Sequence, residues 1–243
     1  MKELYILLTD TGTTLNRTIK LVTNAPYNHA SISLDEKLNH VFSFGRKQPI
    51  NPLYGGFIQE DFVDGTFSWY PDTTCAIYKL SVSEREYEKV FQLISEFEKH
   101  KHSYRYNFFG LFGVPLNYPI EIPFSYFCSQ FVADLLKQSG IKLFNKRSSL
   151  VSPDDFRKIN RLELIYEGRI YDYPALQIEY KPREYDRFPF RKYIVQQLKS
   201  VIVDENKNDE REYFFRDGFI KPKKIMFDRK MKTITTLLRK VDQ

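Results

Sequence analysis

Cysteine is scarce in this chain of 243 residues, which contains only Cys75 and Cys128. Two cysteines cannot form the framework of several disulfides found in small secreted proteins, so we expect a reducing, cytoplasmic setting. Long hydrophobic runs are missing too, since no stretch reaches the roughly 18 uncharged apolar residues of a membrane-spanning helix. Residues 1–12 hold one short apolar run and no small-residue cleavage site, which favours a strand over a signal peptide.

Several well-known catalytic motifs are also missing. The sequence has no glycine-rich phosphate loop and no G-x-S-x-G nucleophile turn. Two of its four histidines, His100 and His102, are spaced as in some metal sites, but no cysteine or carboxylate cluster at ligand spacing accompanies them. We therefore expect neither a metal nor a cofactor, and we interpret this pair as a solvated helix end.

The composition is that of a globular protein with an unusual end. Hydrophobic residues make up 42% of the chain and aromatic residues 16%, enough to bury a substantial core. Residues 181–243 carry 17 of the 37 Lys and Arg but only 10 of the 31 acidic residues, so the net charge of +6 arises there. We predict a domain over residues 1–180 and a basic, partly helical extension over residues 181–243.

The spacing of apolar residues predicts an α+β fold. Runs of strand length or period-two alternation lie at Glu3–Thr9, His29–Asp35, His40–Gly45 and Cys75–Val82. Helices are predicted over Leu15–Val22, from Ser83 to about His100, from Cys128 to Gly140, and from Ser152 to Phe156. The second helix begins with a capping box and has one apolar stripe, formed by Tyr87, Val90, Phe91, Ile94 and Phe97.

Three other stretches have weaker patterns. Residues 46–57 are rich in turn formers and are interpreted as a loop. Residues 104–127 are aromatic and broken by Gly and Pro, which predicts loop or short helical turns that shape an apolar pocket. Leu162–Tyr173 alternates and is predicted to be a hairpin or an edge pair of strands.

The segment "FSYFCSQFVADLLKQSG" places Cys128 where an aromatic run ends and an amphipathic helix begins. Unsatisfied N–H groups and the dipole at a helix start favour a thiolate, and the same N–H groups can bind an oxyanion. Cys128 is therefore a candidate nucleophile. A buried packing role is the alternative, and it is the one we expect for Cys75, which begins a strand.

A thiol nucleophile needs a base, usually histidine, and His29 is the candidate. It begins a strand in which His29, Ser31 and Ser33 alternate with apolar residues. A structural role in the strand remains open for His29, and His40 either orients the base or faces solvent.

These pieces resemble the circularly permuted papain-like hydrolases of the NlpC superfamily, the YiiX/YaeF-like group. The resemblance rests on "YNHASISLD", "VFSFGRK" and "FCSQFVADLLKQSGI", in that order, and covers roughly residues 1–180. It implies an antiparallel sheet or small barrel packed on the helix that carries the nucleophile. It also implies a cysteine peptidase or amidase, with Cys128 as nucleophile and His29 as base, acting on a small peptide or amide.

The third catalytic residue is where the chain departs from the family pattern. The hairpin position that is His, Asn or Gln in many relatives falls near Ser43, and Glu60 is a second candidate because acidic residues occur there in the permuted group. Both remain open as the group that orients the imidazole. Tyr27 and Ser129 are candidates for substrate binding, and Tyr27 is otherwise a loop aromatic.

Three classes of function remain open. The chain is an amide hydrolase, or an acyltransferase of the same superfamily, or a binding module whose basic extension contacts nucleic acid or an anionic membrane. Acidic residues interleaved in the extension weaken the nucleic-acid alternative. A solvated extension that packs back on the domain is the commoner arrangement for such a segment. The oligomeric state cannot be read from the sequence.

Overall fold

The computed structural model describes residues 1–12, 25–46 and 55–178. The predicted helix over Leu15–Val22 and the extension over residues 181–243 lie outside the described residues. The boundary at residue 180 therefore stays a prediction.

A six-stranded antiparallel sheet is the centre of the domain. Its strands are β1 (Lys2–Asp10), β2 (His29–Ser33), β3 (Val41–Arg46), β4 (Gly55–Glu60), β5 (Thr74–Val82) and β8 (Glu163–Arg169). They are arranged in the order β4-β3-β2-β1-β5-β8, and each adjacent pair is antiparallel. Two short strands, β6 (Arg105–Tyr106) and β7 (Ser125–Tyr126), form a separate parallel pair. The fold is thus α+β, with an antiparallel sheet whose edges are β4 and β8.

Four α-helices accompany the sheet in the described ranges. They are α1 (Glu84–Lys99), α2 (Phe108–Gly113), α3 (Cys128–Gln138) and α4 (Pro153–Phe156). Short 3₁₀ helices lie at Thr66–Trp69, Ser148–Leu150 and Ile170–Asp172. The predicted capping box begins α1, since the Ser83 hydroxyl accepts the Glu86 N–H at 3.2 Å and the Glu86 carboxylate accepts the Ser83 N–H at 2.7 Å.

Three predictions about these elements are wrong. The loop predicted over residues 46–57 is wrong at its two ends, because residue 46 belongs to β3 and residues 55–57 belong to β4, which pairs with β3; residues 47–54 lie outside the described residues. The predicted hairpin at Leu162–Tyr173 is a single edge strand followed by a 3₁₀ turn. In α1, Val90, Ile94 and Phe97 are buried as expected, but Phe91 is 54% exposed because it lies on the outer side of the helix.

The sheet has an apolar core on each face. Alternation along β1 sends Leu4, Ile6 and Leu8 into the larger core, which contains α1 and α3, and sends Tyr5 and Leu7 into a smaller core on the opposite face. Among the described residues no helix is both long and apolar enough to cross a bilayer.

Candidate active site

Three separate elements place their end residues together. His29 is the first residue of β2, Glu60 is the last residue of β4, and Cys128 is the first residue of α3. On β2, Ala30 and Ile32 belong to the larger core, so His29 and Ser31 lie on the other side of that strand. Alternation likewise places Ser43 on the face of β3 opposite to its core neighbours Phe42 and Phe44, and Glu60 on the face of β4 opposite to the core residue Phe57, three positions before it.

His29 and Glu60 form a close pair. The His29 Nε2 atom lies 2.6 Å from Glu60 Oε1, and Ser31 Oγ donates to the same oxygen at 3.0 Å. The Glu60 side chain is 3% exposed and the His29 side chain 21% exposed. Since hydrogen bonds to an ionised carboxylate are short and strong, this pair fixes the orientation of the imidazole.

Electrostatics favour the charged form of both partners. Burial alone would lower the pKa of His29, but the negative charge of Glu60 and the hydrogen bond to Cys128 raise that pKa well above its usual value. Burial alone would raise the pKa of Glu60, but its interaction with His29 and with two serine hydroxyls lowers it. The expected state is an imidazolium held between two anionic groups.

The Cys128 thiol lies at the start of α3, where backbone N–H groups converge. The His29 side chain and the backbone N–H groups of Ala30 and Ser129 lie close enough to this sulfur to favour the thiolate. Burial would raise the pKa of this thiol, and the residue is only 1% exposed, yet these contacts lower the pKa below its usual value. Because Nε2 of His29 is paired with Glu60, Nδ1 is the ring nitrogen that can interact with the Cys128 sulfur.

The end of the β2–β3 ladder explains why a sulfur fits here. The two strands pair only at Ile32–Phe42 and Ser33–Val41, although β3 continues to Arg46 alongside β4. Ala30 therefore lies beyond the last β2–β3 pair, and its N–H lies near the Cys128 sulfur and favours the thiolate. A β-carbon on Gly45 would lie 3.7 Å from His29 Cε1 and 3.3 Å from Ser43 Oγ, so this glycine borders the imidazole.

The two candidates for the third residue occupy different places. Glu60 contacts the imidazole nitrogen directly. Ser43 is fully buried beside the ring, and no described residue forms a hydrogen bond of ordinary geometry with its hydroxyl. Contact geometry therefore favours Glu60 as the residue that orients His29.

The side chains of the two predicted substrate-binding residues are engaged elsewhere. Tyr27 is buried, and its hydroxyl donates to Glu167 Oε1 at 2.7 Å, which ties it to strand β8. Ser129 is also buried, and its hydroxyl donates to the Val151 carbonyl at 2.7 Å. Of Ser129, the backbone N–H and not the side chain reaches the site.

The other cysteine and the other histidines lie in different settings. Cys75 is buried in the smaller core. Its thiol pKa is raised to about 12, mainly by burial and to a smaller extent by the negative charge of Glu167. His40 pairs with Asp35 on the surface, and His100 ends α1 beside Glu96. In the part of the chain that the structure describes, no group of three or more His, Cys, Asp or Glu is arranged to hold a metal ion.

Ser31 is the contact that the sequence interpretation did not single out. Its signal was present in the alternation of "HASIS", which places Ser31 on the same side of β2 as His29. What the alternation could not reveal is that a carboxylate from β4 would reach across to both residues.

Comparison with known proteins adds no relative. No protein-family model matches the chain, and a search of curated proteins returns no match.

Proposed function

We propose that this chain is a cysteine hydrolase that cleaves an amide or peptide bond through a thioester on Cys128. The observation that carries the proposal is the pairing of one imidazole with both a helix-start thiol and a buried carboxylate. The thiol pKa is lowered even though the residue is buried, which is the property that a nucleophilic cysteine needs.

The arrangement also supports a permuted papain-like fold as part of the proposal. The base precedes the nucleophile in the sequence, on β2 and α3 respectively, and the acidic residue comes from β4 between them. An antiparallel sheet flanked by the nucleophile helix is the architecture expected for that group.

The chemistry would run in two halves. The Cys128 thiolate attacks the carbonyl carbon, the C=O π electrons move to oxygen, and a tetrahedral intermediate forms. As the C–N bond breaks, the His29 imidazolium gives its proton to the departing amine, leaving a thioester and neutral imidazole. His29 then takes a proton from water, the resulting hydroxide attacks the thioester carbon, and the acid product leaves as the thiolate and imidazolium re-form.

Glu60 and the helix start have supporting roles in this scheme. Glu60 stabilises the imidazolium and holds its ring with Nδ1 directed to the sulfur. The backbone N–H of Ser129 already approaches the sulfur, so an oxyanion formed next to that sulfur lies near a helix N-terminus that favours negative charge.

Alkylation of the thiols by iodoacetamide tests the proposal without knowledge of the substrate. We expect Cys128 to react at least about tenfold faster than Cys75 at pH 7. The pH at which its alkylation rate is half-maximal, the alkylation midpoint, should lie below the ~8.5 of a free thiol. His29→Ala should raise that midpoint and slow the reaction, and Cys75→Ala is the matched control that should leave both unchanged. Equal, slow labelling of the two thiols, read by mass spectrometry of peptides, would overturn the proposal.

The fate of a trapped acyl group separates hydrolysis from transfer. A reactive thioester donor should acylate Cys128, and the adduct should decay in water alone if the chain is a hydrolase. Decay that requires an added amine or alcohol would instead assign an acyltransferase. Absence of any adduct on a reactive Cys128 would favour a binding module.

A further inference from the structure

We propose that Ser31 and Ser43 are positioning residues that hold the Glu60 carboxylate in place for His29. This inference rests on the proposed function, because it concerns how the base of that reaction is kept charged and oriented. Neither serine touches the sulfur in this scheme, and both act through Glu60.

Ser31 carries the stronger evidence. It is fully buried on the strand that bears His29, and its hydroxyl donates to Glu60 Oε1 at 3.0 Å. The same oxygen lies 2.6 Å from His29 Nε2. One carboxylate oxygen is therefore shared by two donors from β2, spaced two residues apart on one face of the strand.

Ser43 lies on the same face of the β3–β4 pair as Glu60, because it is paired with Ile58, two residues before Glu60. Glu60 Oε2 and Ser43 Oγ are both buried, and neither forms a hydrogen bond of ordinary geometry with a described residue. A buried carboxylate oxygen without a donor is costly, and the Ser43 hydroxyl is close enough to contribute to lowering the pKa of Glu60. We infer that this hydroxyl supplies the donor for Oε2 when it rotates toward it.

Several charged groups surround Glu60 and set the electrostatic environment in which the two serines act. His29 faces it from β2, and Cys128 lies beyond His29 at the start of α3. Lys37 from the β2–β3 turn and Asp61, the next residue in sequence, line the same cavity as Glu60. Within this set the hydroxyls are neutral donors, so they stabilise the carboxylate without competing for the imidazolium charge.

Without the Ser31 or Ser43 hydroxyl, the pKa of Glu60 should rise and its carboxylate should be held less firmly against His29. The imidazolium then loses part of its stabilisation, so a higher pH is needed to form the Cys128 thiolate. We expect Ser31→Ala to raise the midpoint of Cys128 alkylation by less than the roughly one pH unit that a hydrogen bond to a charged group is worth, because the effect reaches the sulfur only through Glu60 and His29. Ser43→Ala should shift it in the same direction by less, and Glu60→Gln by more.

Ser33→Ala is the matched control. Ser33 lies on the same strand and the same face as Ser31 and is equally buried, but its hydroxyl donates to the Asp35 carbonyl at 2.7 Å instead of to Glu60. Ser33→Ala should leave the alkylation midpoint unchanged. Thermal melting should show that this variant folds, as do Ser31→Ala, Ser43→Ala and Glu60→Gln.

A double variant separates a positioning role from a structural one. If Ser31 acts through the carboxylate, Ser31→Ala should cause no further shift in a Glu60→Gln background. A shift of equal size in both backgrounds, or no shift for Ser31→Ala in the native background, would overturn the inference. Neither result would affect the proposed function, which instead fails if Cys128 of the unchanged chain has an ordinary midpoint.

Discussion

Two buried cysteines in this fold have opposite electrostatic environments. Cys75 is surrounded by the smaller core, where burial and the nearby Glu167 charge disfavour a thiolate. Cys128 is buried to a similar degree but lies at a helix start against an imidazolium, and those contacts outweigh burial. Exposure therefore does not distinguish the two thiols, and the groups in direct contact with each sulfur do.

The Glu60 carboxylate should make folding stability depend on pH at acid pH. Its pKa in the folded chain is below the 4.5 of a free side chain, so the folded state binds fewer protons than the unfolded state there. The stabilisation it provides is complete above the unfolded pKa and is lost as pH falls through the lower, folded pKa. We expect Glu60→Gln to be less stable than the native chain at pH 6 by about 1–3 kcal/mol.

This difference should shrink as pH falls from about 5 toward 3, because protonation removes the same charge from the native chain. Urea unfolding at a series of pH values measures it. Glu163→Gln is the control, since its side chain is 65% exposed beside Lys79 and an exposed ion pair contributes little. A difference that grows toward pH 3 would contradict the charge assignment for Glu60.

At the scale of elements, helix α3 is tied to the rest of the domain at its first turn. The Ser129 hydroxyl donates to the Val151 carbonyl, which is 22 residues further along the chain. The apolar face of α3 packs into the larger core through Phe131, Leu135 and Leu136. Cys128 is thus positioned by a helix anchored both by packing and by a buried hydrogen bond.

Ser129→Ala should destabilise the fold by about 1–3 kcal/mol, because it leaves the buried Val151 carbonyl without this donor. Ser139→Ala, at the residue that caps the end of the same helix, is the matched control: its hydroxyl donates to the Leu135 carbonyl at 2.8 Å, which the Ser139 N–H already reaches at 3.0 Å. We expect that variant to lose less than about 1 kcal/mol. Equal losses in urea unfolding would show that the link to Val151 does not anchor α3.

Elements with local signals were predictable from sequence, and elements defined by distant partners were not. The α1 capping box and the helix that begins at Cys128 depend on neighbouring residues, and the structure has both. Strand β4 was missed because Gly55 and Gly56 carry no strand signal, and it exists through its pairing with β3. For the same reason the sequence left Ser43 and Glu60 as equal candidates: only the arrangement of β2, β3 and β4 brings the Glu60 carboxylate to the imidazole.

At the scale of the whole molecule, positive charge is concentrated in the last quarter of the chain. Residues 181–243 are predicted to form the extension, and they lie outside the described residues. If the extension contacts anionic partners, binding to vesicles containing phosphatidylserine should weaken as salt rises, because screening reduces such attraction.

Deletion of Lys221–Gln243 tests this prediction. The shortened chain should lose vesicle binding while keeping the alkylation rate of Cys128, which depends on residues of β2, β4 and α3. Sedimentation of vesicles at 50 and 300 mM salt measures the binding. Binding that is unaffected by salt or by the deletion would remove the basic extension as a docking element.

The Cys128 sulfur lies near the Ala30 N–H at the place where β2 has no β3 partner. In the proposed reaction, acylation would turn this thiolate into a thioester, whose sulfur is a much poorer acceptor, so the Ala30 amide would lose this acceptor in the first half of the reaction and regain it in the second. The Ala30 amide proton would therefore act as a built-in spectroscopic reporter, with a chemical shift and solvent exchange that follow the covalent state of the nucleophile.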